Sequence, residues 1–193
     1  MALSREYVGY LASQLAERLE KSGKVKLHNK TAVAGKIQQV LLEDFAQEER
    51  LNQEVRDYLE KYSDQIRRDA ISYQEMYKLV KKELMKKHQM VSSSRPDRDG
   101  SKLSREKILE LSHRLIRDFA GLPQHVEFQE EKNEVRLEIV RQFQALLLEE
   151  SRIDQGVREK IRSQKREIVE GSAEWDILFR KYYAEEMRKL GAQ

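Results

Sequence analysis

Acid–base and nucleophilic catalysis near neutral pH usually depends on a histidine held beside a reactive side chain. This sequence of 193 residues has four histidines, namely His28, His88, His113 and His125. It has no cysteine, so thiolate nucleophiles, thiolate metal sites and disulfide bonds are all excluded. No catalytic motif and no glycine-rich phosphate loop accompanies the histidines. The sequence therefore predicts that the protein is not an enzyme and has no catalytic residues and no cofactor.

Glu110 and His113 have the spacing of a metal-ligand pair, because Glu-x-x-His on a bundle helix supplies half of a carboxylate-bridged site. Such a site needs a second Glu-x-x-His element and two further carboxylates. Tyr10 and Ser13 stand where that second element would be expected. A calcium-loop pattern that begins at Arg95 also fails, because a cation occupies the position of the first carboxylate. We predict no metal site.

A basic stretch is the clearest candidate for binding. From Lys78 to Arg105 the sequence has nine basic and three acidic residues, a local charge of +6 in a chain of net charge +3. Lysines at helical spacing can follow a line of phosphates, although lysines also favour the carboxyl end of any helix. The residues predicted to contact nucleic acid or another partner are Lys78, Lys81, Lys82, Lys86, Lys87, Arg95 and Arg98.

The elements that position these residues follow an internal repeat. The sequence Leu-Ser-Arg-Glu at residues 3–6 returns at 103–106, and the apolar positions after it recur at a shift of 100. Val8, Leu11, Leu15 and Leu19 match Ile108, Leu111, Leu115 and Phe119. Their steps of three and four predict amphipathic helices over residues 5–21 and 105–119.

The repeat continues through the rest of each copy as the shift grows from 100 to 102. Val25 and Leu27 match Val126 and Phe128 in a short alternating segment, which predicts a strand or an extended link. Three more helices follow in the first copy, near residues 33–45, 51–66 and 73–85. We predict that Asn52 or Asp154 caps the third helix of each copy and that Ser72 caps the fourth helix of the first.

Some side chains are preserved between the copies. Arg56 and Arg158 both follow a matched valine, which predicts that each arginine lies beside the apolar stripe and pairs with a carboxylate. Glu48 is similarly preserved as Glu150. The aromatic set that starts at Tyr73 matches the set at Trp175, and both are predicted to lie in the core.

The predicted fold class is all-α, with two pseudo-repeated four-helix modules, each with a short extended segment between its first two helices. The first module covers residues 1–91 and the second 103–193. Residues 92–102 form a polar linker that is rich in turn-forming residues.

The segment Asp44–Arg56, DFAQEERLNQEVR, with YLEKYSDQI and YQEMYKLVKKEL after it, resembles a bacterial family known as domain of unknown function 507. The opening LSRE fits the same family. The resemblance covers nearly all of the first copy and, more faintly, the second, where Gly156 replaces Glu54 and Gln164 replaces Tyr62. It implies a helical bacterial protein and no assigned activity.

Composition and hydropathy indicate where the protein is located. No apolar run approaches the roughly 20 residues that a membrane helix needs, and the first residues do not resemble a signal peptide. Together with the absence of cysteine, this favours a cytoplasmic protein without membrane contact. The leading functional prediction is a non-catalytic scaffold that binds an unidentified protein or itself. The alternative is RNA or DNA binding through the basic stretch at 78–105.

Overall fold

The structure is a computed structural model that describes residues 3–63, 72–93, 102–164, 166 and 168–191. In these ranges it contains six α-helices and one two-stranded sheet. The predicted helical class is confirmed, with the small sheet as an addition. None of the helices found there is both long and apolar enough to cross a membrane.

The first half of the chain forms a helix, a strand, a long helix and a shorter helix. These are α1 (Arg5–Lys21), β1 (Val25–Leu27), α2 (Lys30–Lys61) and α3 (Tyr73–Lys87). Ser4 caps α1, because its hydroxyl accepts a hydrogen bond from the backbone N–H of Tyr7. The side-chain oxygen of Asn29 caps α2 by accepting a hydrogen bond from the backbone N–H of Ala32. Ser72 occupies the predicted cap position of α3, but its side chain makes no capping hydrogen bond.

The second half follows with the same order of elements. These are α4 (Arg105–Ala120), β2 (Val126–Phe128), α5 (Lys132–Arg162) and α6 (Ala173–Lys189). Ser104 caps α4 and Ser172 caps α6, each through its side-chain hydroxyl. The first helix predicted in each half is confirmed to within one residue.

The predicted break between the second and third helix of each half is wrong. α2 and α5 run without interruption through Asn52 and Asp154, the predicted caps. Residues 36–51 and 132–153, which lead up to these positions, are mostly good helix formers and include no proline or glycine. Continuing backbone hydrogen bonds therefore outweigh the capping preference of the side chain. Asn52 instead accepts a hydrogen bond from the Tyr77 hydroxyl at 3.1 Å, and Asp154 accepts one from Lys102 at 3.1 Å.

The two short strands pair with each other across the halves. They are antiparallel, with Lys26 of β1 opposite Glu127 of β2 at the centre. The ladder extends beyond the strands, because the His28 backbone N–H donates to the His125 carbonyl at 2.9 Å. The alternating segments therefore form strands, and these strands tie one half of the chain to the other.

The main hydrophobic core is built by both halves. α1 packs against α2 and α5, while α4 packs against α5 and α2. Its fully buried side chains include Tyr7, Leu11, Leu15, Leu111, Phe119 and Phe143. The module boundaries at 91 and 103 stay a prediction, but the apolar cores of the two halves are continuous.

The last helix of each half covers the far end of a long helix, and the two do so differently. α3 packs on a small separate cluster around Val55 and Leu59 of α2. α6 buries Trp175, Tyr183 and Met187 in the main core. Of the six described helices, only α3 has no buried side chain.

The linker between the halves is anchored at its described ends. The Ser92 carbonyl accepts a hydrogen bond from the Ser104 hydroxyl at 2.7 Å, and Ser93 is buried. At the other end Lys102 contacts Asp154 of α5. Residues 94–101, the middle of the predicted linker, lie outside the described residues.

Candidate functional site

The predicted basic stripe lies on α3, and the structure brings together only part of it. Lys78, Lys82 and Lys87 are exposed, and none of the ion pairs among the described residues includes them. Lys78 and Lys82 are one turn apart and share a face, whereas helical geometry places Lys87 on the opposite side. Arg95 and Arg98, the remaining cations of this candidate site, lie outside the described residues.

The other two lysines of the stripe are engaged in ion pairs. Lys81 Nζ lies 3.2 Å from Glu48 Oε1 of α2, and both side chains are largely covered. Lys86 Nζ lies 2.9 Å from Glu83 Oε1 of the same helix. Lys81 therefore holds α3 against α2, and less positive charge is available on α3 than the sequence suggests.

The histidines do not gather with acids into a metal site in the described part of the chain. Their carboxylate contacts are His88 to Glu54 at 3.0 Å and His28 to Glu127 at 3.2 Å. Glu110 of the Glu-x-x-His element binds Lys107 at 2.8 Å, and His113 is exposed. No group of three or more His, Asp or Glu suited to a metal ion occurs among the described residues.

An open groove of about 800 Å³ lies between the start of α1 and the middle of α2. Its apolar lining is Leu3, Val8, Leu42, Phe45 and Ala46. Leu3 and Val8 are buried members of the main core, whereas Phe45 is only partly buried and Ala46 is exposed. At this surface, here named the α1–α2 groove, apolar side chains at the edge of the core are exposed to solvent.

Charged side chains border the α1–α2 groove. They are Arg5 from α1 and Glu49 and Arg50 from α2. Glu49 is already paired with Arg56 at 2.7 Å, which is the carboxylate contact that the sequence predicts for Arg56. Neither Arg5 nor Arg50 pairs with a carboxylate within the described ranges. Two guanidinium groups that have no counter-ion among the described residues thus flank an apolar floor.

Arg50 also borders a second concave surface, a cavity of about 320 Å³ between α2 and the end of α3. Leu51 and Glu54 line it from α2, and His88 and Met90 line it from the end of α3 and the residues after it. Arg50 therefore borders both the α1–α2 groove and this cavity.

A buried ion pair joins α2 to α4. Lys107 Nζ lies 2.8 Å from Asp44 Oδ1 and 2.8 Å from Glu110 Oε2. Lys107 and Asp44 are both 2% exposed, so solvent screens this contact little. Burial lowers the pKa of Lys107, but the hydrogen bonds that its ammonium donates to the two carboxylates outweigh this effect and raise the pKa above its usual range. Lys107 is therefore a charged group inside the interface between the halves.

A second buried polar cluster surrounds Glu150 of α5, which is fully buried. Its carboxylate accepts hydrogen bonds from Lys102 and, at 3.1 Å, from the Tyr183 hydroxyl. Nearby, the Tyr7 hydroxyl donates to the Leu146 carbonyl. Burial, and then the Glu150 carboxylate, raise the pKa of both tyrosines well above the usual value. The cluster joins the linker end, α1 and α6 to α5.

The sequence-based predictions did not include the buried Lys107 or the groove. A signal for Lys107 exists, because the repeat matches it with Tyr7 and matches Asp44 with Leu146. A charge at a position where the other copy has an aromatic or aliphatic side chain indicates a buried pair. No comparable signal exists for the groove, since its shape depends on how α1 and α2 meet.

Comparison with protein families gives a match over nearly the whole chain. Residues 1–192 match a family described as a protein of unknown function, DUF507. No curated protein matches the chain. The description of the family assigns no activity.

Proposed function

We propose that this chain, which belongs to the DUF507 family of proteins of unknown function, is a non-catalytic helical binding protein. Its partner is another protein, which it holds in the α1–α2 groove. We place this activity in the cytoplasm, because a chain without cysteine suits a reducing compartment.

The apolar floor of the α1–α2 groove carries this proposal. Exposed apolar surface with a polar rim is typical of protein-binding sites. The matched surface of the second half differs, since Gln144 stands where the first half has Leu42. Leu147, which the repeat matches with Phe45, is fully buried. The groove is therefore particular to the first half and does not follow from the helical pattern alone.

A photo-cross-linking amino acid placed at Ala46 tests the proposal in cells that produce the protein. Position 148 is the matched control, because the repeat pairs Leu148 with Ala46 and both side chains are exposed. We expect a protein to be cross-linked at position 46 and not at 148. Capture of RNA alone, or equal capture of the same protein at both positions, contradicts a protein partner in the groove.

A second candidate function is nucleic-acid binding by α3. The observation that favours it is the exposure of Lys78, Lys82 and Lys87 without a described counter-ion. Contacts from lysine to phosphate release condensed counter-ions, so the affinity should fall steeply as salt increases.

Salt-dependent binding of RNA or DNA tests this second candidate. Replacing Lys78, Lys82 and Lys87 with glutamine should reduce the slope of log affinity against log salt by roughly 2 to 3. Arg180→Gln with Lys181→Gln, on the exposed surface of α6, is the control and should leave the slope unchanged. A purified protein whose absorbance at 260 nm does not change on nuclease treatment, and which binds no RNA or DNA at low salt, contradicts the candidate.

We further propose that the two halves arose by tandem duplication and are related by an approximate twofold axis. Tyr7 and Lys107 are matched by the repeat, and each contacts a residue of the other half, Leu146 and Asp44, which the repeat also matches. The strands support the same relation, because Val25 pairs with Phe128 and Leu27 with Val126. A crystal structure in which the halves superpose by a rotation far from about 180° would contradict it.

A further inference from the structure

We propose that the α1–α2 groove binds an acidic amphipathic helix of its partner. This inference rests on the proposed function and adds the chemistry of the occupant. It requires that the occupant present an apolar stripe to the floor of the groove and carboxylates to Arg5 and Arg50.

The shape of the groove fits a helix. Its α2 wall is the set Leu42, Phe45, Ala46, Glu49, Arg50 and Gln53, at steps of one, three and four along the helix. These positions form one continuous face about three turns long, or roughly 16 Å at 1.5 Å per residue. A second helix laid along this face can place side chains at i, i+3, i+4 and i+7 against it.

The charge of the rim fits carboxylates. Arg5 and Arg50 have no described counter-ion, and the one acid of the rim, Glu49, is held by Arg56 at 2.7 Å. An occupant with lysines would place like charges beside both guanidinium groups, which is unfavourable. A nucleic-acid backbone would satisfy the arginines but would leave Phe45 and Ala46 uncovered, so an acidic helix fits both parts of the groove.

Fluorescence anisotropy with a labelled peptide of about four turns tests the inference. The probe carries leucines at i, i+3, i+4 and i+7 and glutamates beside them. A second probe has the same leucines with lysine in place of each glutamate. We expect the intact protein to bind the glutamate peptide at least about tenfold more tightly than the lysine peptide, given two rim charges.

Variants of the rim identify where the peptide binds. Arg5→Glu with Arg50→Glu should weaken binding of the glutamate peptide about tenfold and should improve binding of the lysine peptide. The repeat provides the control, since Arg105 and Arg152 are the matched and exposed arginines of the second half. Arg105→Glu with Arg152→Glu should leave both affinities unchanged. Each variant is checked for an unchanged thermal midpoint, and the milder Arg→Gln substitutions replace any variant that fails this check.

Three results would overturn the inference. They are equal binding of the two peptides, no binding of the glutamate peptide by the intact protein, and equal sensitivity to the two pairs of variants. Failure of the proposed function can be distinguished from failure of this inference, because the proposed function is tested by cross-linking at position 46 and the inference by peptide binding. A protein captured there without binding of the acidic peptide shows a partner of another chemistry, such as a second copy of this chain.

Discussion

Lys107 and Asp44 place opposite charges inside the contact between the two halves. Removing a lysine from water is costly, so a buried ion pair adds little net stability compared with apolar residues of the same shape. Its stronger effect is on alternative packings, because any other placement of α4 on α2 would leave Asp44 buried without its cation and would leave Lys107 with Glu110 of its own helix alone. One oxygen of Asp44 and one of Glu150 already have no hydrogen-bond partner among the described residues. Losing the lysine that pairs with either carboxylate should therefore lower the free energy of unfolding.

Lys107→Met should therefore destabilise the protein strongly, by about 3 to 5 kcal/mol, because Asp44 would be left buried without its cation, and burial already raises the pKa of this carboxyl above its usual range. The double variant Asp44→Leu with Lys107→Met should recover most of this loss, since leucine is also the residue that the repeat matches with Asp44. Urea unfolding followed by circular dichroism measures both changes. A double variant as unstable as the single one would show that the ion pair itself contributes to the free energy of unfolding, beyond each charge neutralising the other.

Tyr7 and Tyr183 should make the protein sensitive to alkali. Their pKa values are raised in the folded protein, first by burial and then by Glu150. Above about pH 10 the unfolded chain loses these protons while the folded protein keeps them. The free energy of unfolding should thus be almost unaffected by the two tyrosines below pH 9. Above pH 10 its fall should steepen toward about 1.4 kcal/mol per pH unit for each tyrosine.

The variant Tyr7→Phe with Tyr183→Phe isolates this effect from that of the lysines, which also titrate there. Its free energy of unfolding should fall less steeply above pH 10 than that of the unaltered protein. Parallel curves for the two proteins, measured by urea unfolding from pH 8 to 11, would contradict the assignment.

Among the helices, α3 and α6 show how far matched elements can differ. α6 places Trp175 and Tyr183 in the main core, while α3 rests on a separate cluster around Val55 and Leu59. The sequence predicts the helical span of α3 well, but it also predicts that Tyr73 lies in the core. Tyr73 is 53% exposed. An apolar stripe shows which face of a helix is buried and does not show how deeply.

α3 should open independently of the rest of the protein. Val55→Ala removes a fully buried side chain from the separate cluster, at a cost of about 2 kcal/mol. We expect faster hydrogen exchange in α3 and little change in α1 or α4. Val157→Ala is the matched control, because the same substitution in the main core should increase exchange in both halves. Uniform exchange in both variants would show that the two clusters unfold together.

Local periodicity determined much of the helical structure but not the number of helices. The first helix of each half was predicted to within one residue, because Ser4 and Ser104 are clear caps before an amphipathic stripe. The break that the sequence predicts at Asn52 is absent from the structure, because a capping residue inside a run of good helix formers stays helical. The pairing of β1 with β2 could not be predicted from local sequence, because each strand is only three residues long and its pattern does not indicate a partner.

In the whole molecule, each half supplies surfaces that only the other half covers. α1 packs on α5, and α4 packs on α2, so the four central helices form one body. Salt bridges cross the same boundary, including Arg18 to Glu149 at 2.8 Å and Lys36 to Asp118 at 3.3 Å. The linker therefore connects two halves that also contact each other directly through their helices.

Residues 1–91 produced alone should not form a stable monomer, since the face of α1 that meets α5 would be exposed. Mixing this fragment with residues 102–193 should restore a folded complex, because the described contacts between halves do not require a continuous linker. Amide chemical-shift dispersion measures folding of each fragment and of the mixture. A well-dispersed monomeric spectrum from residues 1–91 alone would show that the first module folds by itself.

The pairing of β1 with β2 also has a consequence for biosynthesis. β1 leaves the ribosome about 100 residues before the strand that completes its ladder, which takes on the order of 5 to 20 seconds at usual rates of synthesis. Through that interval the nascent chain carries an unpaired strand edge and the uncovered face of α1. We expect ribosome-associated chaperones, which bind exposed apolar segments, to stay on the nascent chain until α5 has emerged and closed over α1.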